Sequence, residues 1–229
     1  MRTIATVCAR GGSVGVPNKN VRMLLGKPLI VHTLEQALAC AEIDGVYVST
    51  DSEAIANVAR GAGAQVPFMR PAELATATAP KVPVIEHLVR GVEAAIGPVD
   101  IVVDLDPTSP LREVSDIKAC LRRLDDETDV VITGYESDKN PYFNMVEERG
   151  DGVVTLVKKP HREVVGRQAA PKVYAMNASI YVWRRTSLSK GLWGGRAALH
   201  VMPRERSIDI DSELDFRLVE LLMADKEER

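Results

Sequence analysis

Apolar residues fall into two patterns along this chain, and the two alternate. Residues 3–9 form a short, nearly unbroken apolar run that stops at Arg10-Gly11-Gly12, the mark of a strand buried on both faces. Beyond Pro28, the residues Ile30, Leu34, Ala37, Leu38 and Ala41 recur at the spacing of one helical face. Proline suits a first helical position, because its missing N–H would have no intrahelical partner there. The couplet then repeats as a strand over 46–50 and a helix over 53–60, with Ser52 as N-cap and Gly61 and Gly63 as the stop. A third strand is expected over 65–69, ahead of Arg70-Pro71, and Val84, Ile85, Leu88 and Val92 mark the helix after it. Residues 100–105 read as a buried strand, Ser115, Ile117, Leu121 and Leu124 as a helix, and 129–135 as the next strand.

Past residue 136 the rhythm changes. Segments 142–148 and 153–157 look like a polar hairpin turned around Gly150 to Gly152, inserted from the main sheet. Strands resume at 179–183 and 199–202, and Ser212 caps a last amphipathic helix carrying Leu214, Leu218, Leu221 and Leu222. Strand-helix repetition of this kind predicts one three-layer α/β/α domain over 1–229, with a mostly parallel, Rossmann-like sheet and right-handed crossovers. The insertion is placed at about 139–165, and no linker or repeat divides the chain.

Composition removes several classes of function. An apolar share of 45% and a formal net charge of -3 describe a folded protein without the basic balance that nucleic acid would favour. No apolar run approaches the roughly 18 residues of a membrane-spanning helix, and the first residues lack a signal peptide's pattern. No membrane partner and a cytoplasmic location are therefore expected. Cys8, Cys40 and Cys120 are odd in number and widely spaced, which suits reduced, buried side chains rather than disulfides or zinc. His32, His87, His161 and His200 lack metal-ligand spacing and have no nucleophile partner.

The chemistry concentrates in the loop after the first strand, Arg10-Gly11-Gly12-Ser13-Val14-Gly15-Val16-Pro17-Asn18-Lys19-Asn20. In an open α/β sheet, ligands bind beyond the carboxyl ends of the strands, where this loop lies. Its three glycines let backbone N–H groups approach phosphate oxygens, and Arg10 and Lys19 can neutralise them. It matches neither the Walker A loop nor the G-x-G-x-x-G dinucleotide fingerprint. Farther on, Asp209 and Asp211 stand two apart in an extended stretch, so both carboxylates face one side, and hard oxygen ligands suit Mg²⁺. Asp211 or Ser212 also reads as the cap of the last helix, and capping and metal binding can coexist.

The loop resembles the A-R-G-G-S-K-G-[IVL]-P-x-K-N segment of the cytidylyltransferases that activate sialic acid and related nonulosonic acids. Ser49-Thr50-Asp51, Arg70-Pro71, Pro107-Thr108-Ser109-Pro110-Leu111-Arg112, Arg167-Gln168 and Ile208-Asp209-Ile210-Asp211 follow in that family's order, so the resemblance covers most of the chain. It implies a fold of the nucleotide-diphospho-sugar transferase type with a dimerisation hairpin. It also implies transfer of CMP from CTP to an acidic nine-carbon sugar with release of pyrophosphate, dependence on Mg²⁺, and a homodimer. By the same similarity Arg10, Gly11, Gly12, Ser13, Lys19, Asn20 and Arg70 hold CTP, Arg10, Lys19 and Asp211 carry catalysis, and Asp209 and Asp211 hold the metal. Asp106, Arg167, Gln168 and Tyr174 face the acidic sugar.

Three departures from the family stand out. Val14 replaces a lysine, Asp106 a glutamine and Ala178 a glycine, while residues 75–80 lack an acidic residue often found there. Lys27 or Lys139 is a candidate to replace the charge absent at Val14. A 3-deoxy-octulosonate-type cytidylyltransferase is the nearest alternative, disfavoured by residues 107–112, and a catalytically weakened nucleotide-binding relative is the second.

Overall fold

The computed structural model describes residues 1–12, 15–159 and 166–227. Ser13 and Val14, and the stretch 160–165 of the expected insertion with His161, lie outside the described residues, as does the side chain of Arg167. Strand β1 (Thr3–Cys8) leads through the glycine loop into a tight hairpin of β2 (Met23–Leu24) and β3 (Lys27–Pro28). Helix α1 (Leu29–Leu38), strand β4 (Gly45–Ser49) and helix α2 (Glu53–Gly61) follow. Helix α3 (Lys81–Ile96), strand β5 (Ile101–Leu105), helix α4 (Val114–Arg123) and strand β6 (Val130–Glu136) complete the alternating half.

The second half contains the hairpin β7 (Val146–Glu148) and β8 (Val154–Leu156), the long strand β9 (Tyr174–Arg184), strand β10 (Ala197–Val201) and helix α5 (Glu213–Glu227). Six strands form one sheet in the order β10-β6-β9-β5-β1-β4, in which β9 runs antiparallel to both neighbours and the other pairs are parallel. The sheet is therefore mostly parallel, as expected, with one reversed strand near its middle.

Helices cover both faces. Ile30, Leu34 and Ala37 of α1, Ile55 and Ala59 of α2, and Ile117 and Cys120 of α4 pack on Ala5, Val7, Val48 and Val103 on one side. Ile85, Leu88, Val89 and Val92 of α3 cover Ile4, Val102, Tyr181 and Trp183 on the other. A third, smaller core positions the site: Val16 of the glycine loop packs with Leu24, Leu29, Leu111, Ile210, Phe216 and Val219. Through it the first loop, the aspartate segment and α5 are joined by apolar contact.

Some expected elements are altered. The strand anticipated over 65–69 shrinks to a single bridge between Gln65 and Tyr47, because Pro67 lacks the N–H that would extend the ladder. Strand β9 starts earlier than expected and bulges, with Ile132 opposite Tyr181 but Gly134 opposite Met176. Gly134 is obligatory there, since a Cβ would meet the Ala175 carbonyl oxygen at 2.5 Å. Within the bulge Ala178 sits at φ 53°, a left-handed conformation that costs an L-residue about 1–2 kcal/mol and costs glycine almost nothing. On α5 the inward face is Phe216 and Val219, whereas Leu214, Leu218 and Leu221 point to solvent.

Candidate active site

The carboxyl ends of β1, β4 and β5 open onto one cleft. Its inner part, about 300 Å³, is lined by Arg10, Gly15, Lys19, Asn20, Asp106, Thr108 and Asp211 among others. A second part, about 200 Å³, is lined by Arg70, Leu74, Thr76, Ala77, Ala79, Lys81 and Val84, and shares Cys8, Arg10 and Asp106 with the first. A larger cleft of about 660 Å³, bounded by Tyr135, Asn177, Ala178, Arg204, Asp209 and Asp211, lies on the other side of the aspartate segment. Asp211 lines both the inner part and the larger cleft.

The first loop is held open from beneath. The Gly11 amide donates to Asp51 Oδ1 at 2.9 Å, and Asn20 Nδ2 donates to the Arg10 carbonyl at 3.1 Å. Gly12 has open space where a Cβ would be. Gly15 has a different reason from the phosphate approach that the sequence suggests: a Cβ there would lie 2.0 Å from the Asp211 carbonyl oxygen. The third glycine thus lets the loop close on the aspartate segment. Lys19 spans the same gap, donating to the Ile210 carbonyl and reaching Asp211 Oδ1 at 3.3 Å.

Alternation along the aspartate segment sorts its side chains. Ile210 is fully buried and its amide donates to the Thr108 carbonyl at 2.9 Å, which turns Asp209 and Asp211 outward to the clefts. Asp209 Oδ1 is buried without a hydrogen-bond partner. Burial, with the neighbouring Asp106 and Asp211 carboxylates, pushes the Asp209 carboxyl up to about 6. Asp211 is 80% exposed. Ser212 caps α5: its Oγ accepts from the Asp215 amide at 3.3 Å, while Asp215 Oδ2 accepts from the Ser212 amide at 2.8 Å. Capping falls to Ser212 and Asp215, so the carboxylates of Asp209 and Asp211 remain available.

Arg70 is buried at the end of β4, its Nε donating to Ser49 Oγ at 2.9 Å and its Nη2 to the Ser49 carbonyl at 2.6 Å. Facing it, Lys81 Nζ lies 3.0 Å from Asp104 Oδ2 and 3.0 Å from Asp106 Oδ2, and 4.6 Å above the Tyr181 ring. Thr6 Oγ1 donates to Asp104 Oδ1 at 2.8 Å, which completes the buried network. Burial works to lower the Lys81 ammonium's pKa, and the two aspartates overcome it and hold it well above the usual range. Cys8, beside them, is a thiol kept protonated by burial and by Asp104.

The remaining sequence candidates separate in space. Asp106 lies on the side of Arg10 and Lys81, outside the residues that line the larger cleft. Gln168 lines a different depression with Glu136, Asp138, Asn140 and Lys172. Tyr174, 41% exposed, pairs with Glu136 at the start of β9. Arg167 begins a short helical turn, Arg167–Ala169. Lys27 is committed to Glu35 at 2.8 Å, and neither it nor Lys139 lines the cleft that holds Arg10 and Lys19. Tyr135, Asn177 and Arg204, which bound the larger cleft, carry no signal in the sequence beyond Asn177's place near Tyr174. The Lys81–Asp104 pair was missed as well, although a lysine in the first turn of a helix opposes the helix dipole and is a visible oddity.

A family model described as cytidylyltransferase matches residues 4–202. The chain belongs to the cytidylyltransferase family. Membership makes it a nucleotidyltransferase, and it is 40% identical over 227 residues to post-translational flagellin modification protein B of Campylobacter coli, across 97% of this chain and 95% of that protein. It is 39% identical over 225 residues to CMP-N,N'-diacetyllegionaminic acid synthase of Campylobacter jejuni, across 96% and 94%. Among solved structures, CMP:2-keto-3-deoxy-manno-octonic acid synthetase complexed with CTP matches 99% of this chain and 100% of its own, with a TM-score of 0.70 at 19% identity. The architecture is that of the nucleotide-diphospho-sugar transferases.

Magnesium suits the donor set of this family member. Among the described residues no group of three or more His, Cys, Asp and Glu could enclose a metal. Mg²⁺, however, usually takes only one or two carboxylates and completes its shell with substrate phosphates and water. The unpartnered Oδ1 of Asp209 beside the exposed Asp211 offers that arrangement. Among the described residues no helix is long and apolar enough to cross a membrane.

Proposed function

We propose that the chain transfers CMP from CTP to an acidic nine-carbon, sialic-acid-like sugar and releases pyrophosphate. One observation carries this reading: Asp211 is common to a cleft lined by phosphate-binding groups and to a second cleft large enough for a sugar. A transfer reaction needs its two substrates to meet at one point, and the aspartate segment is that point. The relative from Campylobacter jejuni is named for a CMP-sugar of this class, which supports the choice of acceptor.

The triphosphate occupies the inner part, where Arg10, Lys19 and the Gly12 amide neutralise it and stabilise the departing pyrophosphate, with Ser13 adding its hydroxyl, while the Gly11 amide, spent on Asp51, shapes the loop instead. Arg70 holds the cytidine from the smaller part, and Asn20 meets the nucleotide from the inner part. The sugar lies in the larger cleft with its hydroxyl directed at the α-phosphorus, and the protein's contribution is positioning. Asp209 and Asp211 would hold Mg²⁺, which when bound neutralises the α-phosphate and lowers the pKa of a coordinated hydroxyl.

Charge supports both the cation and a second subunit. The larger cleft carries Glu205, Asp209, Asp211 and Asp215, with Arg204 its one described cation, so an anionic sugar needs further positive charge. Because Gln168 lines a separate depression of its own chain, Arg167, Gln168 and Tyr174 are proposed to reach the sugar across a subunit interface, from the second copy. The hairpin exposes Val146, Val153 and Val154, each more than half, and a lone two-stranded hairpin is marginal without a packed face. A homodimer that covers it fits these exposures, and a cytoplasmic location fits an enzyme consuming CTP.

Pyrophosphate release tests the reading. With CTP and Mg²⁺, a panel of sialic, legionaminic, pseudaminic and octulosonic acids should give turnover with at least one nine-carbon acid. Uptake of CTP without pyrophosphate release from any of them would favour a binding protein, and turnover with the octulosonic acid alone would favour the eight-carbon alternative.

A further inference from the structure

The cleft between Arg10 and Arg70 contains a carboxylate that phosphate binding does not explain. Its two parts share Cys8, Arg10 and Asp106. On the reading that CTP is the nucleotide, the triphosphate belongs with Lys19 and Gly15 in one part. The flat base then belongs in the smaller part, against Leu74, Ala77, Ala79 and Val84. Covalent order puts the ribose between base and phosphates, and hence at the three shared residues.

Among those three, the chemistry singles out one. Ribose hydroxyls seek an acceptor; an arginine has none, and the Cys8 thiol is held protonated and accepts weakly. Asp106 Oδ1 already accepts from the Thr108 amide at 3.2 Å and Thr108 Oγ1 at 2.8 Å, and Oδ2 from Lys81 at 3.0 Å. A carboxylate offers about four acceptor positions, which leaves one on Oδ2. The side chain is 25% exposed, so that position reaches the cleft. Arg10 and Arg70 line the smaller part and can take phosphate or base, whereas the open position on Asp106 is an acceptor and suits a neutral hydroxyl donor.

We propose that Asp106, held in place by Lys81 and Thr108, accepts a hydrogen bond from a ribose hydroxyl of the bound nucleotide and so selects ribonucleotide over deoxyribonucleotide. Lys81 is a positioning residue in this arrangement. Buried Asp104 anchors its ammonium, so the Asp106 carboxylate is fixed before the nucleotide arrives. Removal of Asp106 leaves Lys81 paired with Asp104, a balanced pair, so the fold is expected to persist.

Calorimetric titration decides the matter with four ligands: CTP, 2′-deoxy-CTP, 3′-deoxy-CTP and UTP. The wild-type chain should bind CTP about ten- to a hundredfold more tightly than at least one of the deoxy analogues, the worth of one hydrogen bond to a charged group. Asp106→Ala should bring that ratio to near one and leave the preference for CTP over UTP unchanged. Should the alanine variant unfold, Asp106→Asn keeps the side chain's size with a weaker, neutral acceptor, and should lower the same ratio by a smaller factor. Equal binding of CTP and both deoxy analogues by the wild type overturns the proposal, and so does a ratio that survives Asp106→Ala. A change confined to the comparison with UTP assigns Asp106 to the base and overturns it too. Failure of CTP to bind at all would overturn the CTP reading itself, an outcome distinct from tight but ribose-indifferent binding.

Discussion

Asp211→Ala is expected to lower pyrophosphate release from CTP and sugar by at least about a hundredfold while the protein stays folded. Its side chain is 80% exposed, and its described polar contact is Lys19 at 3.3 Å, so truncation removes almost nothing from the core. The companion Asp209→Asn separates function from structure more sharply. Asp209 holds an ionised carboxylate against burial and two other aspartates, with one oxygen unpartnered. Holding it ionised at neutral pH costs on the order of 2–3 kcal/mol, because its pKa rises from 3.8 to about 6 at ~1.4 kcal/mol per pH unit. A neutral amide of the same shape should therefore leave the melting temperature unchanged or raise it, while turnover falls as far as in Asp211→Ala. Near-normal activity in either variant would remove the pair from the reaction. A destabilised Asp209→Asn would show that this carboxylate is kept for the fold.

The second large effect lies in the scaffold. Arg112 is 2% exposed and donates to Gln36 Oε1 at 2.9 Å, to Thr33 Oγ1 at 2.7 Å, and to the carbonyls of Ser179 and Asp106. One guanidinium thus ties helix α1, the bulge of β9 and the loop that carries Asp106. Burial lowers its pKa to about 10, offset in part by Asp106 and Asp104, so it remains a cation at neutral pH. Arg112→Ala removes hydrogen bonds from a buried cation to four acceptors, leaving the Ser179 carbonyl with the Asp106 amide alone and the Asp106 carbonyl with the long contacts of Thr33 and Ser109, and is expected to cost about 3–5 kcal/mol, which lowers Tm by roughly 10 °C in a chain of this length. Arg112→Lys should recover little, since one compact ammonium cannot reach the same partners in a planar fork. Thermal unfolding followed by circular dichroism measures both, and a loss below about 1 kcal/mol for the alanine variant would contradict this account.

Much of the fold was legible in the sequence where burial is complete. Strands β1, β4, β5 and β6 announce themselves as unbroken apolar runs, and Ser52 caps α2 as its position predicts, accepting from the Ile55 amide. The direction of β9 was not legible, because a strand buried on both faces has no alternation that distinguishes parallel from antiparallel pairing. The hairpin of β2 and β3 escaped notice because its turn places Leu25 at φ 46° and Gly26 at φ 78°, a conformation usually signalled by asparagine or aspartate before glycine. The outward stripe of α5 misled for a simpler reason: Leu214, Leu218 and Leu221 are as regularly spaced as the buried Phe216 and Val219.

In the site, local patterns survived and long-range pairings did not. Arg10, Lys19, Asn20, Asp209 and Asp211 were visible because each sits in a short motif, and the fold brings them to neighbouring clefts. Asp104 and Lys81 are 23 residues apart, and only the packing of α3 against the central strands joins them. The reason for Gly15 was likewise invisible, since its neighbour Asp211 comes from the far end of the chain.

Where the nucleotide and the cation sit is decided by a crystal structure with CTP and Mg²⁺. The triphosphate is expected over the loop of Arg10 to Asn20, the base toward Arg70 and the ribose at Asp106, and the carboxylates of Asp209 and Asp211 would hold the cation. A nucleotide seated elsewhere, or a cation that leaves both aspartates untouched, would contradict that arrangement.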